Sequence, residues 1–572
     1  MCGICGFAGF EDKGLLRRMA KSIEHRGPDD EGFFTDKSVS LGNRRLKIID
    51  LKGGHQPICN EDGSMVIVFN GEIYNYKELR NGLEKKGHRF STNSDTEVIV
   101  HLYEELGPGC PERLRGMFTF AIWDSGKRSL FLARDRIGIK PLYYHLSDGK
   151  LVFASEIKAL LQSGEIDKKI KNQALFSFLV FQYTLGENTI IENIKRLMPG
   201  HTLEYQNGKT KIRRYWDTRM EPVGGNYEDL TRRFRNLLEE SVKMRLMSEV
   251  PFGAYLSGGI DSSSVVAMMS KHVNEPVKTF SVGFGERDDE LGFARTVSDF
   301  LGTEHREFYF DSSDLVKSFQ RFIWHLDEPL ADGGAIPTFL LSQKVKKHAT
   351  VIMVGEGADE NLAGYSWHRI ISGWPKRPFT ESMRLKLYYK MNTLAKENYL
   401  TGYSGYKIFL PFYRKDTPSP LNRILEFEIR NLLPNSLLMK VDRMTMSSSI
   451  EARVPYLDHK MVEFCGALPI DLKLRKNEGK YIQKKAMKGI LPDKIIKRRK
   501  HGFLVPLNKW ISGELGEVAK QTLSDSSFSI EVFDKNSTKN LFRASGIDKI
   551  RKTNMIWRLL LYQKWHEEFI SG

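Results

Sequence analysis

The second residue of the chain, Cys2, has the chemistry of a nucleophile. If Met1 is removed, Cys2 becomes the first residue, and its own α-amino group, with a pKa of about 8, can act as the base for its thiol. A cysteine near a chain terminus is by itself a weak signal. The residues that accompany Cys2 therefore decide the interpretation.

Four polar motifs follow Cys2 in the first part of the chain. They are His25-Arg26-Gly27-Pro28-Asp29, Asn43-Arg44-Arg45-Leu46, Phe69-Asn70-Gly71-Glu72 and Ser94-Asp95-Thr96-Glu97. At these spacings the set resembles the glutaminase domain of class II amidotransferases, the N-terminal-nucleophile type. The whole set is far more specific than any one of its members.

The resemblance implies a role for each residue of this first site. Cys2 would attack the side-chain amide of glutamine, and Asn70 with Gly71 would form the oxyanion hole, which needs neutral donors. Arg45 would pair with the α-carboxylate of glutamine, for which a planar guanidinium is suited. Glu72 and Asp95 would hold its α-ammonium group.

A second candidate site lies further along the chain, at Leu256-Ser257-Gly258-Gly259-Ile260-Asp261-Ser262-Ser263. A glycine-rich turn between a strand and a helix offers backbone N–H groups and a positive dipole end to an anion. The turn is not a Walker loop, and it resembles the pyrophosphate loop of ATP pyrophosphatases.

The segment Val354-Gly355-Glu356-Gly357-Ala358-Asp359-Glu360 also follows a predicted strand. Open parallel sheets bind ligands at this edge. Asp261 and Asp359 are therefore predicted to meet there, and two carboxylates with phosphate oxygens suit Mg²⁺. Helix capping is the alternative role for each aspartate on its own.

Further motifs extend the resemblance over the whole chain. They are Asp327-Glu328-Pro329 with Asp332, the segment from Glu451 to Asp458, Lys480, and the basic run from Lys497 to Phe503. The chain is similar to the glutamine-hydrolysing asparagine synthetase family, which also holds related amidotransferases and β-lactam synthetases. In this family ATP adenylates an acceptor carboxylate, and ammonia from the first site passes through an internal tunnel and displaces AMP.

The family resemblance implies roles in the second site. Asp261 and Asp359 would bind Mg²⁺-pyrophosphate, Glu356 would support adenylate formation or act as a base toward ammonia, and Lys480 would neutralise the departing pyrophosphate. The residues expected to bind ATP are Leu256, Ser257, Gly258, Gly259, Asp261, Ser262, Val282, Val354 and Gly355. Without the resemblance, Lys480 would be interpreted as a solvated helix lysine.

Three departures from the family pattern fall in this half of the chain. Val354 stands where serine is often found, Asn361-Leu362 where Leu-Phe or Val-Phe is common, and Gly333-Gly334 where a serine is frequent. We expect all three to lie near the acceptor and nucleotide pockets. They would then influence which acid is amidated.

The elements that position these residues change character near residue 215. Before it, short apolar runs bounded by turn dipeptides predict strands over 64–69, 117–123, 130–133 and 150–154. Helices are predicted over 15–25, 75–86 and 96–106, with Ser94-Asp95 able to cap the last. Residues 217–227 contain proline and glycine and predict a linker.

After the linker, strand-like runs alternate with helical ones, which predicts a parallel sheet flanked by helices. Beyond about residue 365 the chain is mostly helical in pattern. We therefore expect two domains. Residues 1–215 would form an α+β four-layer sandwich of the Ntn-hydrolase type, as the resemblance implies. Residues 228–572 would form an α/β parallel-sheet domain of the ATP-pyrophosphatase (adenine nucleotide α-hydrolase-like) type with a helical extension.

Composition restricts the function class. The chain has 572 residues, 41% of them hydrophobic and 28% charged, which is ordinary for a globular protein. No apolar run is long enough to span a membrane and no secretory signal is visible, so a cytoplasmic protein is expected. The net charge of +16 is spread along the chain, so we expect no nucleic-acid partner. Five cysteines do not predict a disulfide framework.

Three functions remain open at this stage. The first is synthesis of asparagine from aspartate, with glutamine and ATP as co-substrates and Mg²⁺ as cofactor. The second is amidation of another carboxylate, such as a sugar uronate of a surface polysaccharide. The third, a basic binding protein with vestigial sites, conflicts with the complete set of glutaminase residues. Aspartate is the acceptor we expect, and a homodimer is an open assembly state.

Overall fold

Two antiparallel sheets form the core of the N-terminal part of the protein. The computed structural model describes residues 2–218, 223–286, 289–372, 380–393, 400–415, 417, 419–500, 505–524, 541–542 and 548–571. The strands of this part are β1 (Cys2–Ala8), β2 (Asp30–Asp36), β3 (Val39–Arg45), β4 (Ile58–Cys59), β5 (Met65–Ile73), β6 (Gly116–Asp124), β7 (Ser129–Arg134), β8 (Tyr143–Ser147), β9 (Lys150–Ala154), β10 (Lys195–Arg196), β11 (His201–Gln206) and β12 (Lys209–Arg214). The helices are α1 (Lys13–Ser22), α2 (Tyr76–Glu84), α3 (Glu97–Leu106), α4 (Ile157–Leu160) and α5 (Asn172–Phe181).

The two sheets pack face to face. One has the strand order β10-β8-β9-β1-β3-β2 and the other β12-β11-β7-β6-β5-β4. Ile4 and Leu41 of the first sheet share a buried apolar cluster with Val68 and Ala121 of the second. Helix α1 packs on β1 and β3, and α3 packs on β4 and β5. Helix, sheet, sheet and helix follow one another as layers.

A five-stranded parallel sheet forms the core of the C-terminal part. Its strands are β13 (Phe252–Tyr255), β14 (Lys278–Gly283), β15 (Glu304–Tyr309), β16 (Val351–Met353) and β17 (Glu451–Arg453), in the order β15-β14-β13-β16-β17. Every pairing in this sheet is parallel. The sheet was predicted, but β17 was not, because three residues carry no periodic pattern. A two-stranded sheet, β18 (Leu474–Arg475) and β19 (Glu478–Gly479), lies apart from it.

Helices surround this sheet and fill the rest of the C-terminal part. They are α6 (Tyr227–Met244), α7 (Ile260–Ser270), α8 (Leu291–Leu301), α9 (Ser312–Leu326), α10 (Ala335–Val345), α11 (Ala358–Leu362), α12 (Ser366–Ser372), α13 (Glu381–Asn392), α14 (Gly405–Phe409), α15 (Pro420–Phe427), α16 (Leu438–Met446), α17 (His459–Ala467), α18 (Ile470–Lys473), α19 (Tyr481–Ala486), α20 (Asp493–Ile496), α21 (Leu507–Ile511), α22 (Glu514–Ser524) and α23 (Asp548–His566). In the described ranges, no helix combines the length and the apolar character needed to cross a membrane.

One local expectation was wrong. Ser94-Asp95 does not cap α3, because Thr96 is its N-cap residue and makes no side-chain capping bond. Asp95 instead accepts a hydrogen bond from the N–H of Ile73, at 2.8 Å. The predicted linker falls partly on residues 219–222, and the end of the predicted basic run on 501–503; both stretches lie outside the described residues.

Buried ion pairs join the two parts. Arg26 lies in a short 3₁₀ turn after α1 and donates to Glu156 at 2.8 Å and to both oxygens of Asp442 at 2.8 and 3.0 Å. Arg443 lies 3.3 Å from Asp327 and 3.4 Å from Glu156. All five side chains are almost completely buried. The two parts therefore meet through charges that have no access to water.

Candidate functional site

Cys2 lies at the start of a central strand, in the interior of the N-terminal part. It pairs with Arg45 in the register of β1 and β3, and burial raises the pKa of its thiol. The Cys2 N–H donates to Asn70 Oδ1 at 3.0 Å. Asn70 Nδ2 is buried and has no hydrogen-bond partner among the described residues. A buried donor without an acceptor is costly, so Asn70 is poised to donate to a ligand oxygen.

Gly71 follows Asn70 at a point where two strands approach closely. A Cβ atom built on Gly71 would lie 2.1 Å from the carbonyl oxygen of Met117 on the neighbouring strand β6. Only glycine fits this position. The structure thus places the two predicted oxyanion donors side by side, next to the Cys2 backbone.

Arg45 is held by neutral acceptors. Its Nη2 donates to the carbonyl oxygens of Ile49 at 3.0 Å and Asp50 at 2.7 Å. A Cβ atom on Gly54 would lie 2.4 Å from the same nitrogen, so a side chain there would displace the guanidinium. Within the described ranges, no carboxylate oxygen forms an ion pair with this buried guanidinium. Its charge is available to an anionic ligand.

Glu72 and Asp95 are the acidic residues of the first site. Both are buried, and burial raises the pKa of Asp95 to about 6 and that of Glu72 well above its ordinary value. Glu72 Oε1 lies 3.4 Å from Arg453 Nη2 of the C-terminal part, while Glu72 Oε2 has no hydrogen-bond partner in the described structure. Arg453 donates more closely to Glu451, at 2.6 Å. Two incompletely neutralised carboxylates favour a cationic group.

A cavity of about 720 Å³ opens at the carboxyl ends of β13 and β16 in the C-terminal part. It is large enough for a nucleotide and a small acid. The predicted residues that line it are Leu256, Ser257, Asp261, Ser262, Val282, Val354, Gly355, Glu356 and Asp359. The structure therefore brings most of the predicted second site together around one space.

Two glycines of the predicted loop shape this site rather than line the cavity. Gly258 has φ +68°, and a Cβ atom there would lie 2.4 Å from the backbone carbon of Phe293. Gly259 is the residue before α7 and starts that helix. Their small size lets the loop turn sharply and exposes the helix N-terminus to the cavity.

Two lysines bridge the predicted metal ligands. Lys480 Nζ lies 2.6 Å from Asp261 Oδ2 and 2.6 Å from Asp359 Oδ1. Lys500 Nζ lies 2.6 Å from Asp359 Oδ2. Burial disfavours the ionised form of Asp359, but the two lysines outweigh it and hold its pKa far below the usual value. A Cβ atom on Gly364 would lie 1.9 Å from Asp359 Oδ1, so this packing requires glycine.

Two carboxylates at one edge of the cavity form a donor set that fits Mg²⁺, which takes few protein ligands and binds hard oxygens. The adjacent lysines add the positive charge that a polyphosphate needs. Lys480 is buried, which excludes the alternative of a solvated helix lysine.

Several groups at the cavity were not among the predicted site residues. Glu360 is buried beside Asp359, and burial together with that neighbour raises its pKa to about 8. Tyr365 donates to Glu360. Lys440 on α16 lies 3.2 Å from Asp332. No sequence signal singles out Lys440, because α16 also carries Asp442 and Arg443.

The departures from the family pattern divide into two groups. Val354 and Gly334 line the cavity, as expected. Asn361 does not: its Nδ2 donates to the carbonyl oxygen of Tyr456 at 2.9 Å, and Leu362 lies in an apolar cluster. The cavity wall, as far as described residues form it, includes neither. These two side chains therefore do not line the cavity, because α11 turns both into the core.

Contacts link the first site to the second. Arg26 Nε donates to the carbonyl oxygen of Cys2 at 3.2 Å, and the same guanidinium binds Asp442 on α16. Lys440, two residues earlier on α16, lines the cavity. One buried arginine thus connects the backbone of the thiol residue to the helix that forms part of the cavity wall.

Comparisons with known proteins agree with this two-site arrangement. A family model described as Asparagine synthase matches residues 233–567, and one described as Glutamine amidotransferase domain matches residues 1–216. The chain is 34% identical to "Asparagine synthetase [glutamine-hydrolyzing] 1" of Bacillus subtilis (strain 168), over 98% of this chain and 96% of the relative. It is 31% identical to a putative glutamine-hydrolysing asparagine synthetase of Mycobacterium bovis, over 100% of this chain and 98% of the relative.

A solved structure, the glutamine phosphoribosylpyrophosphate amidotransferase of B. subtilis with ADP and GMP, is similar to part of the chain. It covers 54% of this chain and 81% of its own, with 16% identity and a TM-score of 0.30.

Proposed function

This chain belongs to the asparagine synthase family, and on that premise we propose that it makes L-asparagine from L-aspartate. It is an ATP-dependent ligase that takes its amide nitrogen from glutamine. The proposed overall reaction converts aspartate, ATP, glutamine and water to asparagine, AMP, pyrophosphate and glutamate. The ATP-dependent step is supported by the pair Asp261 and Asp359, which Lys480 bridges at the cavity edge.

In the first site, the Cys2 thiolate would attack the side-chain amide carbon of glutamine. The oxyanion would accept hydrogen bonds from Asn70 Nδ2, which lacks a partner in the described structure, and from the Gly71 N–H. Removal of Met1 would turn the Cys2 backbone nitrogen, which is hydrogen-bonded to Asn70 Oδ1, into a free amine. This amine would take the proton of the thiol and return it to the departing ammonia. Water would then hydrolyse the thioester to glutamate.

In the second site, an oxygen of the aspartate β-carboxylate would attack the α-phosphorus of ATP, and pyrophosphate would leave. Lys480 and Lys500 would neutralise the departing phosphates, because both already face the site as cations. Mg²⁺, held by Asp261 and Asp359, would supply further positive charge to the phosphate oxygens. Ammonia would displace AMP from the acyl-adenylate, with Glu356 accepting its proton.

The acceptor is tested by following three products together. With Mg²⁺, ATP, glutamine and saturating L-aspartate, we expect AMP, pyrophosphate and asparagine in equal amounts, because each adenylate consumed yields one of each. L-Glutamate and a sugar uronate are the matched alternative acceptors. If pyrophosphate stays at the no-acceptor background with aspartate while glutamine is still hydrolysed, aspartate is excluded, and release with the uronate would identify the second candidate.

The pH dependence of glutamine binding tests the role of Asp95. Its pKa is raised to about 6 by burial, so the carboxyl is neutral below that pH and charged above it. A neutral carboxyl cannot pair with the α-ammonium of glutamine. We therefore expect the KM for glutamine to rise as the pH falls below 6, by up to about ten-fold per unit. Steady-state glutaminase assays between pH 5 and 8 measure it.

The control for this prediction is Asp95→Asn, which removes the titration. Its KM should be high and should change less with pH than the wild-type KM over the same range, because Glu72, whose pKa burial also raises, remains. A wild-type KM that stays constant from pH 5 to pH 7 would contradict the proposed contact, whatever happens to kcat.

The remaining proposals rest on the same family membership. We place the glutaminase domain at 1–215 and the synthetase domain at 228–572. A cytoplasmic location and a homodimer stay predictions, as does the Mg²⁺ requirement.

A further inference from the structure

Two histidines and two glutamates lie close together in the N-terminal part of the protein, outside both sites described above. This imidazole–carboxylate cluster consists of Glu61, His88, His101 and Glu104, and its four ligand atoms all lie within 4.8 Å of one another. Glu61 follows β4, His88 follows α2, and the other two lie one turn apart on α3. Three separate segments of chain therefore converge on one point.

Several distances within the cluster are close to those of a tetrahedral metal site. His101 Nδ1 lies 3.1 Å from Glu104 Oε2 and 3.2 Å from Glu61 Oε2. His88 Nδ1 lies 3.2 Å from Glu61 Oε1 and 3.7 Å from Glu104 Oε2. Zinc bonds of about 2.0–2.1 Å give tetrahedral edges of about 3.3 Å, so these close pairs already have the required spacing, and the wider pairs, up to 4.8 Å apart, would contract around an ion.

His88 has the outer hydrogen bond that ligating histidines use, and His101 has a longer contact of the same kind without a hydrogen bond. His88 Nε2 lies 3.3 Å from Glu105 Oε1, and His101 Nε2 lies 3.7 Å from Glu97 Oε1. Each ring therefore turns Nδ1 toward the cluster and Nε2 toward a carboxylate. A ligating imidazole commonly donates its other N–H to a carboxylate, which fixes its tautomer and orientation.

The carboxylate ligands are also held in place. Asn60 Nδ2 donates to Glu104 Oε1 at 2.9 Å, which leaves Oε2 directed at the histidines. The Arg89 N–H donates to Glu61 Oε1 at 2.9 Å. The His101 side chain is fully buried, whereas those of Glu61 and Glu104 are 32% and 25% exposed, so an ion can enter from the surface.

We propose that Glu61, His88, His101 and Glu104 bind one Zn²⁺ ion in a structural site. Mixed imidazole and carboxylate donors suit Zn²⁺ and exclude a preference for Mg²⁺ or Ca²⁺, which take oxygen ligands. Four protein ligands close the coordination sphere, which is typical of a structural rather than a catalytic ion. The ion would hold the segment after α2 and the β4–β5 turn against α3. Helix α3 begins two residues after Asp95.

The full-length protein is tested in a Cys2→Ala background, so that the reactive thiol does not contribute a ligand. After stripping with a chelator, titration with ZnCl₂ followed by calorimetry and by elemental analysis should give about one tight zinc ion per chain. The melting temperature should rise by roughly 5 °C when zinc exceeds the dissociation constant 100-fold. Substitution with Co²⁺ should give the visible absorption bands of a tetrahedral site.

The variants His88→Gln and Glu61→Gln should each weaken zinc binding at least about 100-fold and abolish the cobalt spectrum. The matched control is His55→Gln, since His55 is an exposed histidine that pairs with Asp30 away from the cluster. If the cluster is an ion-pair network of protonated imidazoles, wild-type protein will take up no stoichiometric zinc or cobalt. That result, or equal binding by the His88 variant, overturns the proposal and leaves the proposed synthetase activity unaffected.

Discussion

Cys2→Ala is expected to lower glutamine hydrolysis at least about 10³-fold, because the variant has no nucleophile to form the thioester. Asn70 and Gly71 remain in place, but an oxyanion hole without a nucleophile gives only residual catalysis. Synthesis driven by ammonium salts should be nearly unchanged, since the second site receives free ammonia from solvent. Glutamate release and AMP formation, assayed on the same preparation, measure the two activities.

The control for this experiment is Cys59→Ala, which removes an exposed thiol that matches no role in either site. It should retain both activities. Glutamine-driven turnover at the wild-type rate in Cys2→Ala would remove this residue from the mechanism. Loss of the ammonia-driven reaction as well would point to a folding defect instead.

Asp359→Asn is expected to lower aspartate-dependent pyrophosphate release at least about 10²-fold. Its carboxylate pairs with both Lys480 and Lys500, so the amide would leave two cations without their common partner and one metal ligand fewer. Glutamine hydrolysis should survive in part, because Asp359 lies outside the first site. Pyrophosphate and glutamate release, measured in parallel, separate these effects.

Asp261→Asn is the second variant of this test, since Asp261 is the other carboxylate that pairs with Lys480. Asp493→Asn is the matched control: its side chain is 71% exposed and pairs with Lys497 on the surface. Unchanged conversion of ATP to AMP in both site variants would exclude the proposed phosphate-binding role. An equal loss in the Asp493 variant would show that the substitution itself is damaging.

Much of the site was predictable because short motifs encode local geometry. Strand, glycine turn and helix around Asp261 follow from spacing alone, and so does the meeting of Asp261 with Asp359 at one sheet edge. The parallel sheet follows from alternating patterns in the same way. Such reasoning works where the pattern of each βα unit already places its residues at the carboxyl edge of a shared sheet.

The parts that were missed depend on contacts between distant segments. Strand β17 has three residues and joins the sheet only because β16 lies beside it. Asn361 sits in a motif next to site residues, yet α11 directs it to Tyr456. Lys440 lies on a helix without a motif, and tertiary packing alone brings it to the cavity. Sequence spacing indicates which residues are neighbours on one helix or strand, but it does not indicate which face of that element packs against another element.

The buried arginines and carboxylates between the two parts restrict how this protein can be divided or recombined. Cutting the chain near residues 219–222 would remove the covalent link between the two parts, yet their separation would leave Arg26 and Asp442 as unpaired charges. We therefore expect a nicked chain to stay together as a non-covalent complex. An N-terminal or C-terminal part taken from a relative can replace its counterpart only if it carries the matching charge at the position of Arg26 or Asp442. The two parts must therefore change together during evolution.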